Sequence, residues 1–177
     1  MALEISKKIC MLGSFGVGKT SLVRRFVHNL FDEKYLSTIG VQVTQKKIPP
    51  MEASLKSQPV ALKFILWDLA HIEKFNELIR NYFRGAHGAL VVFDISRPLA
   101  VQDPDIFFKP FMEINPDSKV IFIANKVDLV DVHGVAVEQF KQFAQSLQSP
   151  CFFTSAKSGD NVEAAFQKLA EMILKAE

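Results

Sequence analysis

A chain of 177 residues with 21 basic and 19 acidic side chains, formal net charge +2, has the size of one ordinary domain and no electrostatic bias. Apolar residues make up 49%, charged residues 23%, and 16 residues are Phe. That excludes a disordered chain and predicts one core burying about two-thirds of the unfolded surface without disulfide or metal staples. Neither charge sign forms a run, so nucleic-acid binding and a polybasic membrane anchor are not expected. The start Met1-Ala2-Leu3-Glu4-Ile5 has no basic region leading into an apolar one, and no apolar stretch approaches the ~18 residues that cross a bilayer. The expectation is a single domain over residues 1–177, soluble and cytoplasmic, with Cys10 and Cys151 buried and reduced inside apolar runs.

In chain order, residues 9–12 are a short apolar run followed by a glycine-rich turn, then by Leu22, Phe26 and Leu30 on one helical face. In residues 40–48, Val41, Val43 and Gln45 alternate. A Pro49-Pro50 loop joins them to the apolar run 60–67, which predicts an antiparallel hairpin at a sheet edge. Runs 89–95, 120–124 and 151–153 are each rich in Val, Ile or Phe and too short for helices, as expected of strands covered on both faces. Between and after them come helical faces of Val137, Phe140, Ala144 and Leu147, then of Val162, Ala165, Phe166, Leu169 and Ile173. Asp160 with Glu163 three residues on reads as the N-cap of the last helix. Strands alternating with helices predict an α/β fold of three layers, a mostly parallel sheet with helices on both faces. No repeat, low-complexity tract or linker interrupts it.

Gly13-Ser14-Phe15-Gly16-Val17-Gly18-Lys19-Thr20 lies between the first strand and the first helix, the setting a phosphate loop requires. Glycines let the backbone wrap phosphate oxygens with its N–H groups inward, and the helix N-terminus adds partial positive charge. Lys19 would hold the β- and γ-phosphates and the Thr20 hydroxyl would bind Mg²⁺. The plain alternative, a glycine turn before a helix, does not need the lysine and threonine at that spacing.

The loop alone does not choose between ATP and GTP. Asn125-Lys126-Val127-Asp128 follows the run 120–124, at the carboxyl edge of a parallel sheet where ligands bind. A carboxylate there accepts two parallel N–H bonds from N1 and N2 of guanine. Adenine offers an acceptor at N1 and no amine at C2, so Asp128 would be left unpaired, a discrimination of roughly 10⁴-fold or more. The alternative, a polar turn at a strand end, is weakened by Thr154-Ser155-Ala156-Lys157 after the last strand, where a backbone N–H could reach the guanine O6 and Lys157 could pack along the ring.

With both motifs in place, the chain resembles the Ras-like small GTPases, closest in character to the Rab-type branch and its prokaryotic Rab-like members, from Lys7 to about Leu174. The resemblance implies a P-loop NTPase fold with a six-stranded sheet, one antiparallel edge strand, five helices, and a switch between GTP and GDP with Mg²⁺. By the same resemblance Ser21 joins the nucleotide-binding loop, and Phe31 packs an aromatic ring across the guanine. Tyr35 and Thr38 belong to the first switch, Tyr35-Leu36-Ser37-Thr38-Ile39-Gly40, in which Thr38 binds Mg²⁺ and senses the γ-phosphate. Asp68 matches the aspartate that holds Mg²⁺ through water. Without the family, Phe31 would read as a core residue and Thr38 as an ordinary loop threonine. Effectors and regulators would meet residues 31–40 and 68–80.

Catalysis is where the pattern breaks. After Asp68 the family usually has x-Ala-Gly-Gln-Glu, and this chain has Leu69-Ala70-His71-Ile72-Glu73. Ile72, at the position of the water-orienting glutamine, can neither accept a proton from water nor donate to the γ-phosphate. His71 replaces a glycine, and its Cβ restricts the backbone that would approach that phosphate. Phe15 replaces a small residue and crowds the space where a glutamine or an arginine finger approaches. The expectation is a GTP/GDP switch, catalysed by Lys19 and Thr38 and with slow intrinsic hydrolysis. A rival has His71 orienting water, one residue out of register. Another class of reading is a scaffold that holds GTP or GDP without hydrolysing it. A nucleotide kinase would need an arginine-rich lid, and the chain offers none. Residues 49–59 read as a long hairpin loop, either a partner surface or a tolerated insertion. Ala2 in place of glycine, and no cysteine after Cys151, predict no lipid anchor in this chain.

Overall fold

The computed structural model describes residues 3–32, 38–49, 60–69, 76–98, 106–131 and 133–176. Six strands, β1 (Leu3–Leu12), β2 (Val41–Lys47), β3 (Val60–Leu69), β4 (Gly88–Asp94), β5 (Lys119–Asn125) and β6 (Cys151–Thr154), form one sheet in the order β2-β3-β1-β4-β5-β6. Only β2 runs antiparallel, paired to β3 from Val41↔Leu69 to Lys47↔Lys63, so the expected edge hairpin is present. The helices are α1 (Lys19–His28), α2 (Glu77–Phe83), α3 (Phe108–Ile114), α4 (Val135–Ser146) and α5 (Val162–Lys175), with a 3₁₀ turn at Val127–Leu129.

Side chains that alternate along a strand face opposite sides of the sheet, and here both sides are buried. Ile9 and Met11 of β1, Leu90 and Val92 of β4, and Ile121 and Ile123 of β5 pack under α1 and α5. Cys10 and Leu12, Val91 and Phe93, and Phe122 and Ala124 from the same three strands pack with Phe83, Phe111 and Phe140 from α2, α3 and α4. The abundant Phe divides accordingly. Phe26 of α1 stacks on Phe166 of α5 at 3.8 Å, whereas the opposite core is a set of edge-on rings such as Phe93–Phe140 at 5.4 Å.

Several local expectations need correction. β1 begins at Leu3, well before the apolar run, because Leu3↔Val60 opens a parallel ladder with β3 six residues before β4 joins at Ile9↔Gly88. One partner suffices to order a half-polar stretch. Leu30 is not on the α1 face: the helix ends at His28, Asn29 takes the left-handed conformation (φ 54°) and closes its N–H on Arg25 O, and Leu30 is 64% exposed. Asp160 does not cap α5. Asn161 occupies the cap position at φ 54° with no side-chain cap bond, and the Asp160 carboxylate accepts from the Ser158 hydroxyl at 2.7 Å. Cys10 is buried, its thiol pushed up to about 12 by burial, whereas Cys151, at the start of β6, is only half-buried and not buried as expected; both are free thiols. No helix among the described residues is long and apolar enough to cross a membrane.

Candidate nucleotide site

The parallel strands bring their carboxyl ends to one edge, where the turn after β1, Asp68 of β3, Asp94 of β4, Asn125 of β5 and Thr154 of β6 converge. The glycines of the 13–18 loop are required by its neighbours. Gly13 has φ +142°, and a Cβ there would lie 2.3 Å from Val92 O. Gly18 has φ +100°, and a Cβ would lie 2.4 Å from Asn125 Nδ2. The loop carbonyls are held by side chains: Lys19 Nζ donates to Gly13 O at 2.7 Å and Ser14 O at 3.0 Å, and Asn125 Nδ2 donates to Val17 O at 2.9 Å. Val17 is fully buried in the α1/α5 core, anchoring the loop, while Phe15 is 49% exposed. Burial lowers the Lys19 ammonium from its ordinary value to about 8, against the nearby Asp68 charge.

Behind the loop, three oxygens from three segments meet. The Thr20 hydroxyl donates to Asp68 Oδ2 at 2.5 Å and lies 2.6 Å from the Thr38 hydroxyl, which must therefore be the donor of that pair. Asp68 is buried, and its other oxygen, Oδ1, has no hydrogen-bond partner among the described residues. Burial raises the Asp68 carboxyl above its ordinary range, although the Thr20 bond and the Lys19 charge oppose this. Two hydroxyls and a buried carboxylate with an orphan oxygen are the donor set of a hard divalent cation. No group of three or more His, Cys, Asp or Glu suited to a metal occurs among the described residues.

On the far side Asn125 is a hub. Its Oδ1 accepts from the Thr154 hydroxyl and the Ala156 N–H, both at 3.2 Å, while its Nδ2 holds the 13–18 loop. Asn125 thus ties the 13–18 loop to the 154–157 loop. The Ser155 hydroxyl donates to Asp128 Oδ1 at 2.6 Å, orienting an otherwise exposed carboxylate. Arg25 of α1 supports the 154–157 loop from below, through Ala156 O at 2.8 Å and Lys157 O at 2.6 Å. Lys126, left-handed at φ 69°, donates to Asp94 Oδ2 at 2.7 Å.

Of the remaining expected residues, Ser21 lies in the first turn of α1, Lys157 is exposed, and Phe31 is half-buried against the α1/α5 core. Tyr35, His71 and Ile72 lie outside the described residues, as do 50–59 of the hairpin loop. Arg25, Asp94 and Arg97 escaped the motif reading as participants, and Thr154, although part of a quoted motif, was assigned no contact of its own. Asp94, a carboxylate closing an apolar strand at the ligand edge, carried a legible signal. The arginines carried none, because their partners include backbone carbonyls.

Fold and site together define an α/β protein of the P-loop GTPase class. The Ras family model matches residues 8–175. Ras-related protein Rab-31 of Homo sapiens is 35% identical over 167 residues, covering 94% of this chain and 82% of that protein. Rab-1A of Dictyostelium discoideum is 35% identical over 94% of this chain and 79% of its own length, and Rab-32C of the same organism 36% over 97% and 75%. The chain belongs to the Ras family and is a Ras-like, Rab-like small GTPase. Membership supports a GTP-binding switch.

Proposed function

We propose that the protein is a Mg²⁺-dependent GTP/GDP switch with slow intrinsic hydrolysis, its 177 residues forming one such domain. The observation that carries the nucleotide reading is the Asp128 carboxylate, aimed by Ser155 beside a loop that Asn125 couples to the phosphate cradle. Gly13, Ser14, Phe15, Gly16, Val17, Gly18, Lys19, Thr20 and Ser21 surround the phosphates, and Phe31, Tyr35, Lys126, Ala156 and Lys157 flank the nucleoside. Thr20 and Thr38 would hold Mg²⁺, with Asp68 acting through water, and the ion would neutralise phosphate charge.

Slow hydrolysis rests on Ile72 and His71, and on Phe15, whose exposed ring stands in the phosphate loop. GTP loaded on the wild type is expected to persist for hours, Ile72→Gln to shorten its life by roughly tenfold or more, and His71→Ala to change nothing. Single-turnover phosphate release measures all three, and unaided turnover within minutes would sink the proposal. The same residues favour a second reading, a scaffold that never hydrolyses GTP, for which the bound triphosphate would not decay at all. Regulators and effectors would meet residues 31–40 and 68–80. In and beside these segments Ile39, 90% exposed, and Val43 and Leu78 present apolar surface to solvent.

The lowered Lys19 value gives a pH signature. Charged Lys19 costs the nucleotide-free fold stability in full below about pH 8, and the cost is relieved as pH climbs from about 8 towards the ordinary 10.5. A bound phosphate favours the ammonium. GDP binding should therefore take up a proton above about pH 8, and affinity should fall by up to about tenfold per pH unit beyond it. Calorimetry in two buffers of different ionisation enthalpy at about pH 9 reads the proton; no uptake would place Lys19 away from the phosphates.

A further inference from the structure

The turn after β4 sends Arg97 across to the phosphate loop. Its backbone N–H closes on Asp94 O at 3.0 Å, its Nε lies 3.2 Å from Asp94 Oδ2, and its Nη1 donates to Phe15 O at 2.9 Å. Nη2 stands 3.0 Å from where a Cβ on Gly16 would be, so the guanidinium lies along the outer wall of the cradle. Asp94 is a firm anchor. Burial would raise its carboxyl, but the Lys126 and Ser96 bonds outweigh burial and hold it below its ordinary range. Ser96 takes Asp94 Oδ1 with both its N–H (3.0 Å) and its hydroxyl (2.5 Å), leaving Oδ2 to Lys126 and Arg97.

A trans peptide points its C=O and the following N–H in opposite directions. With Phe15 O turned out to Arg97, the Gly16 N–H is turned away from it, towards the side on which the loop closes around phosphate. Asn125 does the same for the next peptide but one by holding Val17 O. Arg97 is exposed, so its charge is screened and the directional bond dominates. A guanidinium can hold a carboxylate and a carbonyl through separate N–H groups of one plane, whereas a lysine offers a single point of charge.

We propose that Arg97 is a positioning residue for the nucleotide's phosphates: anchored on Asp94, it sets the Phe15–Gly16 peptide with its N–H facing the phosphate groups and slows nucleotide release. This rests on the nucleotide reading above. The competing idea is that Arg97 only braces the turn after β4, which would affect every ligand of the edge alike.

The test compares wild type, Arg97→Ala and Arg97→Lys in titrations with GDP and with guanosine, in the release of a fluorescent GDP analogue, and in thermal melting. Arg97→Ala should weaken GDP and speed release by about tenfold, the scale of a lost charge-assisted hydrogen bond, and leave guanosine affinity and melting unaltered. Arg97→Lys should recover part of the loss. Unchanged GDP release, or equal weakening of GDP and guanosine, would overturn the assignment. Wild type that fails to bind GDP would overturn the nucleotide reading as well, so the two failures are distinguishable. Should Arg97→Ala melt too early to titrate, Arg97→Gln takes its place, with the same weakening of GDP over guanosine expected and the same results overturning the assignment.

Discussion

Asp128→Asn is expected to lower GTP affinity by roughly 10³- to 10⁴-fold and to turn the preference towards xanthosine triphosphate, the penalty being that of leaving buried polar groups unpaired. Guanine presents two N–H donors on one edge, and a carboxylate accepts both. An amide in that place offers one acceptor and one donor, so it meets the N1–H and repels the C2 amine. Xanthine has a C2 carbonyl that takes the amide donor. The geometry favours a clean exchange, because the Ser155 hydroxyl that now donates to Asp128 Oδ1 can donate equally to the amide oxygen, leaving the NH₂ towards the base. Competition of GTP and xanthosine triphosphate against a fluorescent GDP analogue measures both affinities. Unchanged GTP affinity would remove Asp128 from base recognition.

Asp68→Ala is expected to abolish the effect of divalent cations on nucleotide release. Chelation should speed GDP release from the wild type on the order of a hundredfold, since the cation stabilises phosphate charge by several kcal/mol. The variant should release quickly with or without Mg²⁺. A general loss of structure would mimic this, but the electrostatics argue the other way. Asp68 has its carboxyl raised by burial, so ionised Asp68 costs the nucleotide-free fold stability above its folded value, a cost relieved as pH falls through that value. Removing it, with its orphan Oδ1, should leave melting of the nucleotide-free protein level or higher. Thr20→Ala, which deletes the hydroxyl between Thr38 and Asp68, should act in the same direction. A variant at Asp68 that still responds to chelator would place the cation elsewhere.

The fold was legible because its signals are local or periodic. Strands buried on both faces are continuous apolar runs, as in β4 and β5, and α5 shows its buried stripe at helical spacing. The misreadings fall where a tertiary partner extends an element or a left-handed asparagine sets its end. β3 extends β1 through the half-polar 3–8 segment, Asn29 stops α1 two residues short of Leu30, and Asn161 takes the cap from Asp160.

By itself the sequence determined the fold class, the family and the residue types able to read phosphate and guanine, because glycine spacing and strand-end motifs are properties of consecutive residues. Only the tertiary structure decided which groups meet. Thr20, Thr38 and Asp68 come from three segments, Asn125 binds two loops at once, and Arg25 and Arg97 act on backbone carbonyls far along the chain. A carbonyl is present at every residue and leaves no mark in a sequence. The parallel sheet that aligns the strand ends is what selects the carbonyls each arginine reaches.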